Sequence, residues 1–304
     1  MEQQDRTKQG IFLALGAYTM WGIAPIYFKA ISEVPALEIL SHRVIWSFFF
    51  LILIISIGKN WHHVANVFKQ PKKVGLLFCS SILIAINWLV FIWAVNNNHM
   101  LDASLGYFIN PLINVLLGMI FLGERLRKLQ WFAVLLAVIA VAIELINFGS
   151  LPWVALTLAC SFAFYGLLRK KINIDAKSGL LLETMILWPV ASIYLFFFAH
   201  SSTSEFSANP MMLNILLISA GVVTTLPLLC FTAAATRLKL STLGFFQYIG
   251  PSLMFLFATL IYNEPLTVEK GITFIFIIAA LVVFTSDSII GHKNRKNIKA
   301  ATES

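Results

Sequence analysis

Apolar residues along this chain run in long unbroken blocks separated by short polar stretches, without the two-residue alternation of a strand. Ten blocks stand out, at about 10–30, 37–57, 74–95, 103–122, 129–147, 151–168, 179–199, 212–234, 241–262 and 268–288. A hydrocarbon core about 30 Å thick takes about 20 residues of helix, so the blocks have membrane-spanning length. The longest polar intervals, 58–73 and 200–211, are too short to fold as separate domains. The first block follows only Met1–Gln9 and no small-residue cleavage site follows it, which predicts a retained helix. The pattern predicts an all-α integral membrane protein with ten transmembrane helices.

Composition strengthens that reading. Apolar residues make up 59% of the 304 residues and charged ones 12%, against about 45–50% and about 25% in soluble domains. A soluble enzyme or a nucleic-acid binder is excluded on this ground. The net charge of +8 is informative only by position. With the N-terminus in the cytoplasm, 19 of the 22 basic residues fall on inner segments: Arg6, Lys8; Lys59, Lys69, Lys72, Lys73; Arg125, Arg127, Lys128; Arg169, Lys170, Lys171, Lys177; Arg237, Lys239; Lys293, Arg295, Lys296, Lys299. Lys29 and Lys270 lie near outer loops and Arg43 lies within a span. Such a bias predicts ten spans with both termini cytoplasmic and a basic cytoplasmic tail over 291–304.

The fourth and ninth blocks resemble each other. One reads Leu105-Gly106-Tyr107-Phe108, then Pro111, Glu124 and Leu126; the other reads Leu243-Gly244-Phe245-Phe246, then Pro251, Glu264 and Leu266. Trp21-Gly22 and Tyr165-Gly166 match similarly, and all pairs share nearly one offset. The chain thus divides into repeats of five helices, 1–147 and 151–290. Five is odd, so the second repeat enters from the opposite side. Inverted repeats suit a carrier with its site near the midplane, though a duplicated channel or scaffold shares the pattern.

Polar groups within the blocks are candidates for chemistry, because each is expensive in hydrocarbon. Arg43 sits about 10 Å deep at 1.5 Å per residue, where it either holds an anionic or polar substrate group or pairs with Glu144. His42 beside it points elsewhere on the helix. Asn87, Asn110 and Asn114 can bond a substrate or a neighbouring helix. Trp21, Trp88, Trp93, Tyr107, Tyr165, Phe246 and Tyr248 offer cavity walls or packing. Pro25, Pro111, Pro189, Pro227 and Pro251 each remove a backbone hydrogen bond. Pro111 and Pro251, with Gly106 and Gly244 for close helix approach, are candidate gates or hinges. Glu124, Glu183, Glu264 and Asp287 fall near span ends, where water is available, and His62-His63 in an inner loop lacks further ligands. Cys79, Cys160 and Cys230 read as buried apolar residues, with no metal site or disulfide framework. No G-x-x-x-x-G-K-[ST] loop is present, so ATP is not the direct driver and no cofactor is implied.

A family resemblance rests on several stretches. These are Pro35-Ala36-Leu37-Glu38-Ile39-Leu40-Ser41-His42-Arg43, Asn87-Trp88 with Ile92-Trp93-Ala94-Val95-Asn96, and Ala103-Ser104-Leu105-Gly106-Tyr107-Phe108-Ile109-Asn110-Pro111-Leu112. Gly123-Glu124-Arg125-Leu126, Tyr165-Gly166-Leu167-Leu168-Arg169-Lys170 and Ser241-Thr242-Leu243-Gly244 extend it over nearly the whole chain. The sequence resembles the RarD-type subfamily of EamA transporters, in the drug/metabolite transporter superfamily. The resemblance implies ten helices in two repeats, a bacterial-type inner membrane and export or permease activity. The expected function is a secondary transporter for a small organic metabolite or drug-like solute. Its expected partners are that small-molecule substrate and the lipid bilayer, with no nucleic acid, and a monomer is compatible with the pattern. A flippase for lipid-linked substrates is the alternative. A membrane-embedded lipid-modifying enzyme is a further one, against which the scatter of ionisable groups counts.

Overall fold

The computed structural model describes residues 2–97, 100–148, 153–253, 271–273 and 275–287. The described residues form helices and connecting turns: α1 (Glu2–Ala30), α2 (Ala36–Ile57), α3 (Trp61–Phe68), α4 (Pro71–Asn96), α5 (Met100–Leu122), α6 (Lys128–Phe148), α7 (Trp153–Ile172), α8 (Ala176–Phe197), α9 (Met211–Ala235), α10 (Leu240–Phe246) and α11 (Gly271–Asp287). Helices are what lipid permits, because they satisfy every backbone donor and acceptor within one segment. Six of them are long and apolar enough to cross a membrane: α1, α2, α4, α5, α8 and α9. α6 and α11 carry shorter apolar stretches, and α7 ends in Arg169, Lys170 and Lys171. The outer surfaces are apolar, with Phe196 83% exposed and Leu129, Phe132 and Leu135 of α6 also exposed. A contiguous surface of this kind is solvated by lipid.

The helices pack chiefly between the first part of the chain and the second. α2 lies on α8 and α9, α4 on α7 and α8, α5 on α7 and α10, and α1 on α9. The main core surrounds Tyr18, Tyr165 and Phe231, while a second joins Ala133, Ala137 and Ala140 of α6 to Ile277, Ala280 and Phe284 of α11.

Several elements differ from the sequence expectation. The interval 58–73 contains α3, whose Val64 and Val67 are buried one turn apart, so a loop expected to be irregular is partly an amphipathic helix. α1 starts at Glu2, well before its apolar block, and α7 runs past its block to Ile172. The ninth block is a broken helix. α10 stops at Phe246, Gln247 and Tyr248 form a turn, and helical backbone resumes before Pro251. The cause is local: Pro251 lacks an N–H, and its ring opposes the carbonyl four residues back, that of Gln247. The backbone tightens there, with Gln247 N–H donating to Gly244 O and Gly250 N–H to Gln247 O. Pro111, Pro189 and Pro227 instead sit inside continuous helices. The remainder of the ninth block, Glu264 and the 291–304 tail lie outside the described residues.

Candidate functional site

Where the ninth block breaks, a cavity of about 80 Å³ opens between the helices. α1 contributes Tyr18, Trp21, Ala24 and Phe28 to its wall, and α4 contributes Asn87, Trp88 and Phe91. Arg43 of α2, Tyr107 of α5 and Phe162 of α7 complete the sides, and Gln247, Gly250 and Pro251 come from the break itself. Irregular backbone at membrane depth is tolerated where it borders such a space. The volume is several times what a single water occupies.

Arg43 dominates the electrostatics. Two turns into α2, it is 5% exposed. Its Nε donates to Thr224 Oγ1 of α9 at 2.8 Å, and its guanidinium carbon lies 4.6 Å from the Trp88 ring and 5.2 Å from that of Phe28. Its Nη1 is buried without a hydrogen-bond partner. The Glu144 side chain, the alternative partner raised by sequence, lies outside the described residues. His42 faces away, its ring 5.3 Å from Phe206.

The other sequence candidates divide. Asn87, Trp88, Tyr107 and Pro251 border the cavity with Arg43. Asn87 also donates to Leu158 O (2.9 Å) and Ser161 Oγ (3.0 Å) of α7. Asn110, Asn114, Tyr165, Tyr248, Gly106, Pro111 and Gly244 do not border it. Asn110 donates to Ala159 O at 2.5 Å and Asn114 to Asn110 Oδ1 at 2.8 Å, a polar ladder fastening α5 to α7. Tyr248 donates to Phe108 O at 3.2 Å. A Cβ on Gly106 would stand 2.9 Å from Ala155 O, and one on Gly244 would stand 2.8 Å from Asn114 Cβ and 3.2 Å from Pro111 O. Both glycines therefore sit where helix backbones meet.

Comparison with known proteins decides the family. Residues 8–146 match the EamA-like transporter family. Protein RarD of Escherichia coli is 62% identical over 93% of this chain and 96% of its own. The chain belongs to the RarD proteins of this family. A Vibrio cholerae protein named as an uncharacterized transporter is 63% identical, over 97% of this chain and 98% of its own. A solved crystal structure superposes with a TM-score of 0.71 at 16% identity, over 91% of this chain and 97% of that one, a likeness of fold. The EamA membership makes this a multi-pass membrane transporter and sets the enzyme alternative aside.

Two buried carboxylates of this EamA chain were not legible as such. Glu183, expected near water, is 2% exposed. It accepts from Ser80 Oγ of α4 at 2.5 Å and from Tyr165 OH at 3.2 Å, and Arg169 Nη1 lies 3.6 Å from its Oε1. Arg169 is likewise buried instead of reaching the inner surface, because its guanidinium lies against Gly179 and Glu183 in the first turns of α8. Glu124 accepts from the backbone N–H groups of Leu240 (2.6 Å) and Ser241 (3.0 Å) and from Ser241 Oγ (2.7 Å). It thereby satisfies donors at the start of α10 that the helix leaves open. The cavity residues missed by sequence are Tyr18, Ala24, Phe28, Phe91, Phe162, Gln247 and Gly250. Of these only Gln247, polar within an apolar block, carried a signal.

Proposed function

We propose that this transporter is a secondary carrier that moves a small organic solute across the bacterial inner membrane, as an exporter or permease. It does so by alternating access between two inverted repeats, 1–147 and 151–290. The observation that carries this reading is the cavity around Arg43, enclosed by helices of both repeats and bordered by a broken helix. Packing supports the repeats as well. α1 on α9 has its counterpart in α7 on α4, and α2 on α9 in α8 on α4. α2 and α8 each have 22 residues, start 140 residues apart at Ala36 and Ala176, and carry Arg43 and Glu183 at the same step. Each ionic group is bonded across the repeats, Arg43 to Thr224 and Glu183 to Ser80. Reconstituted into liposomes, the chain should exchange a labelled solute from a panel of metabolites and drugs above the protein-free baseline. Failure across a broad panel, with folded protein in the bilayer, would count against a carrier.

Orientation follows the same reading, with both termini cytoplasmic. Segments assigned to one side meet: Arg127 pairs with Asp287 at 2.8 Å, and Lys170 donates to Leu238 O. On the opposite side, Glu38 accepts from Ser201 at 2.8 Å and Thr203 at 3.1 Å. In a cysteine-free background, a single cysteine at Ser202 should react with an impermeant thiol reagent from outside, and one at Lys72 should not. The reverse pattern would overturn the orientation.

Pro111 and Pro251 serve the exchange between states in this account, with Gly106 and Gly244 as the close contacts about which helices move. Pro251→Ala should restore the missing helix hydrogen bond and bias one open state. It should slow transport several-fold at unchanged expression, and Pro111→Ala should do the same to a lesser extent because α5 is already continuous. Parent rates in both variants would reduce the prolines to static features.

A further inference from the structure

Among its described residues, the cavity wall carries a formal charge and offers it no counter-charge. Arg43 is the charged one among the described residues that border the space, and no aspartate or glutamate accompanies it. Thr224 engages Nε and is neutral. Trp88 and Phe28 contribute only ring faces. Nη1 remains buried with no acceptor. A desolvated cation in that state calls for an anion to complete it. A planar guanidinium with an unengaged nitrogen matches a carboxylate better than any neutral polar group does.

The rest of the wall sets the shape of the solute. Trp21, Phe91 and Phe162 stand with Trp88 around the space, surfaces against which a planar ring packs edge-on or offset. Gln247, whose Oε1 is enclosed without a hydrogen-bond partner, adds a polar side chain on the side of the broken helix. Since no described residue on the cavity wall carries a carboxylate, an ammonium group on the solute would find no counter-charge among them. A cation or an amino-acid-like zwitterion is therefore disfavoured relative to a simple acid.

We propose that the cavity binds a compact aromatic monocarboxylate, its carboxylate on the Arg43 guanidinium and its ring against Trp21 and Phe162. The assignment rests on the carrier reading above and names its substrate class. Phenylacetate should raise the unfolding temperature of the purified full-length chain. Phenylacetamide, phenethylamine and phenylalanine should need at least about tenfold higher concentration for the same shift, as expected for loss of a charged hydrogen bond. Arg43→Ala should abolish the phenylacetate response and Arg43→Lys should weaken it. The ligand series on the parent chain decides the matter even where a variant fails to fold. Equal shifts from phenylacetate and phenylacetamide would overturn the acid class, and so would no shift from any of the four. Counterflow of labelled phenylacetate in proteoliposomes at about pH 8, where the acid is ionised, separates the two readings. Acid-selective binding without counterflow overturns the carrier and leaves the site. Counterflow that prefers phenethylamine or phenylacetamide overturns the acid class and leaves the carrier.

Discussion

Gly221→Ala should strip this protein of most of its folded yield, whereas Gly75→Ala should leave it unchanged or slightly more stable. The two glycines lie in helices of similar character, and alanine is intrinsically the better helix residue by about 0.5–1 kcal/mol. What separates them is space. Nothing lies within 4 Å of a Cβ built on Gly75, but one on Gly221 would fall 2.4 Å from the backbone carbon of Trp46 and 2.7 Å from Ser47 N. Those atoms belong to the backbone of α2, so no rotamer change relieves the overlap. α9 and α2 would have to separate, which also breaks the 3.2 Å bond from Ser47 Oγ to Gly221 O. In a bilayer, close backbone approach is a principal source of helix association, and overpacking typically costs about 1–3 kcal/mol, sometimes more. Thermal unfolding in detergent of both variants checks the sign. A Gly221→Ala protein that melts with the parent would show that the α2–α9 contact is loose.

Arg169→Ala should be nearly as damaging, for an electrostatic reason. Its guanidinium and the Glu183 carboxylate are both buried, 3.6 Å apart. Removing the cation leaves Glu183 with only the Ser80 and Tyr165 hydroxyls. Breaking a buried pair from one side costs about 3–5 kcal/mol, while replacing both members with apolar residues of similar volume is often neutral. The double variant Arg169→Leu/Glu183→Leu should therefore melt above Arg169→Ala. If Arg169→Ala unfolds at the parent temperature, the pair contributes nothing to stability.

These two sites also mark what sequence could and could not reach. The membrane class and the placement of most spans follow from uninterrupted apolar length, which survives any arrangement of neighbours. The depth of Arg43 could be counted along its helix. Its partners could not, because Thr224 is 181 residues away and meets it only after α2 and α9 pack. Glu183 was misjudged for the same reason. Its nearness to a helix end was visible, but the packing of α2 and α4 on α8, with Ser80, Tyr165 and Arg169 around the carboxylate, is a property of the assembled bundle. Pro251 was flagged by its sequence match with Pro111, yet only one of the two breaks its helix, since a proline's effect depends on what its surroundings tolerate. α3 carries a legible apolar stripe in Trp61, Val64, Val67 and Phe68, although the polar interval around it reads as loop.

The grip of Glu124 on the start of α10 has a bearing on biosynthesis. The ribosome delivers Glu124 at the end of the fourth block, and the backbone donors it binds, at Leu240 and Ser241, are more than a hundred residues from being made. Until then the carboxylate has no permanent place beside Gly118, although α5 already has α7 of the second repeat to pack on. The first repeat, synthesised alone, would hold a carboxyl group cut to fit a helix that never arrives. Insertion of the ninth block thus completes the end of α5 late in synthesis, when Leu240 and Ser241 present their N–H groups to Glu124.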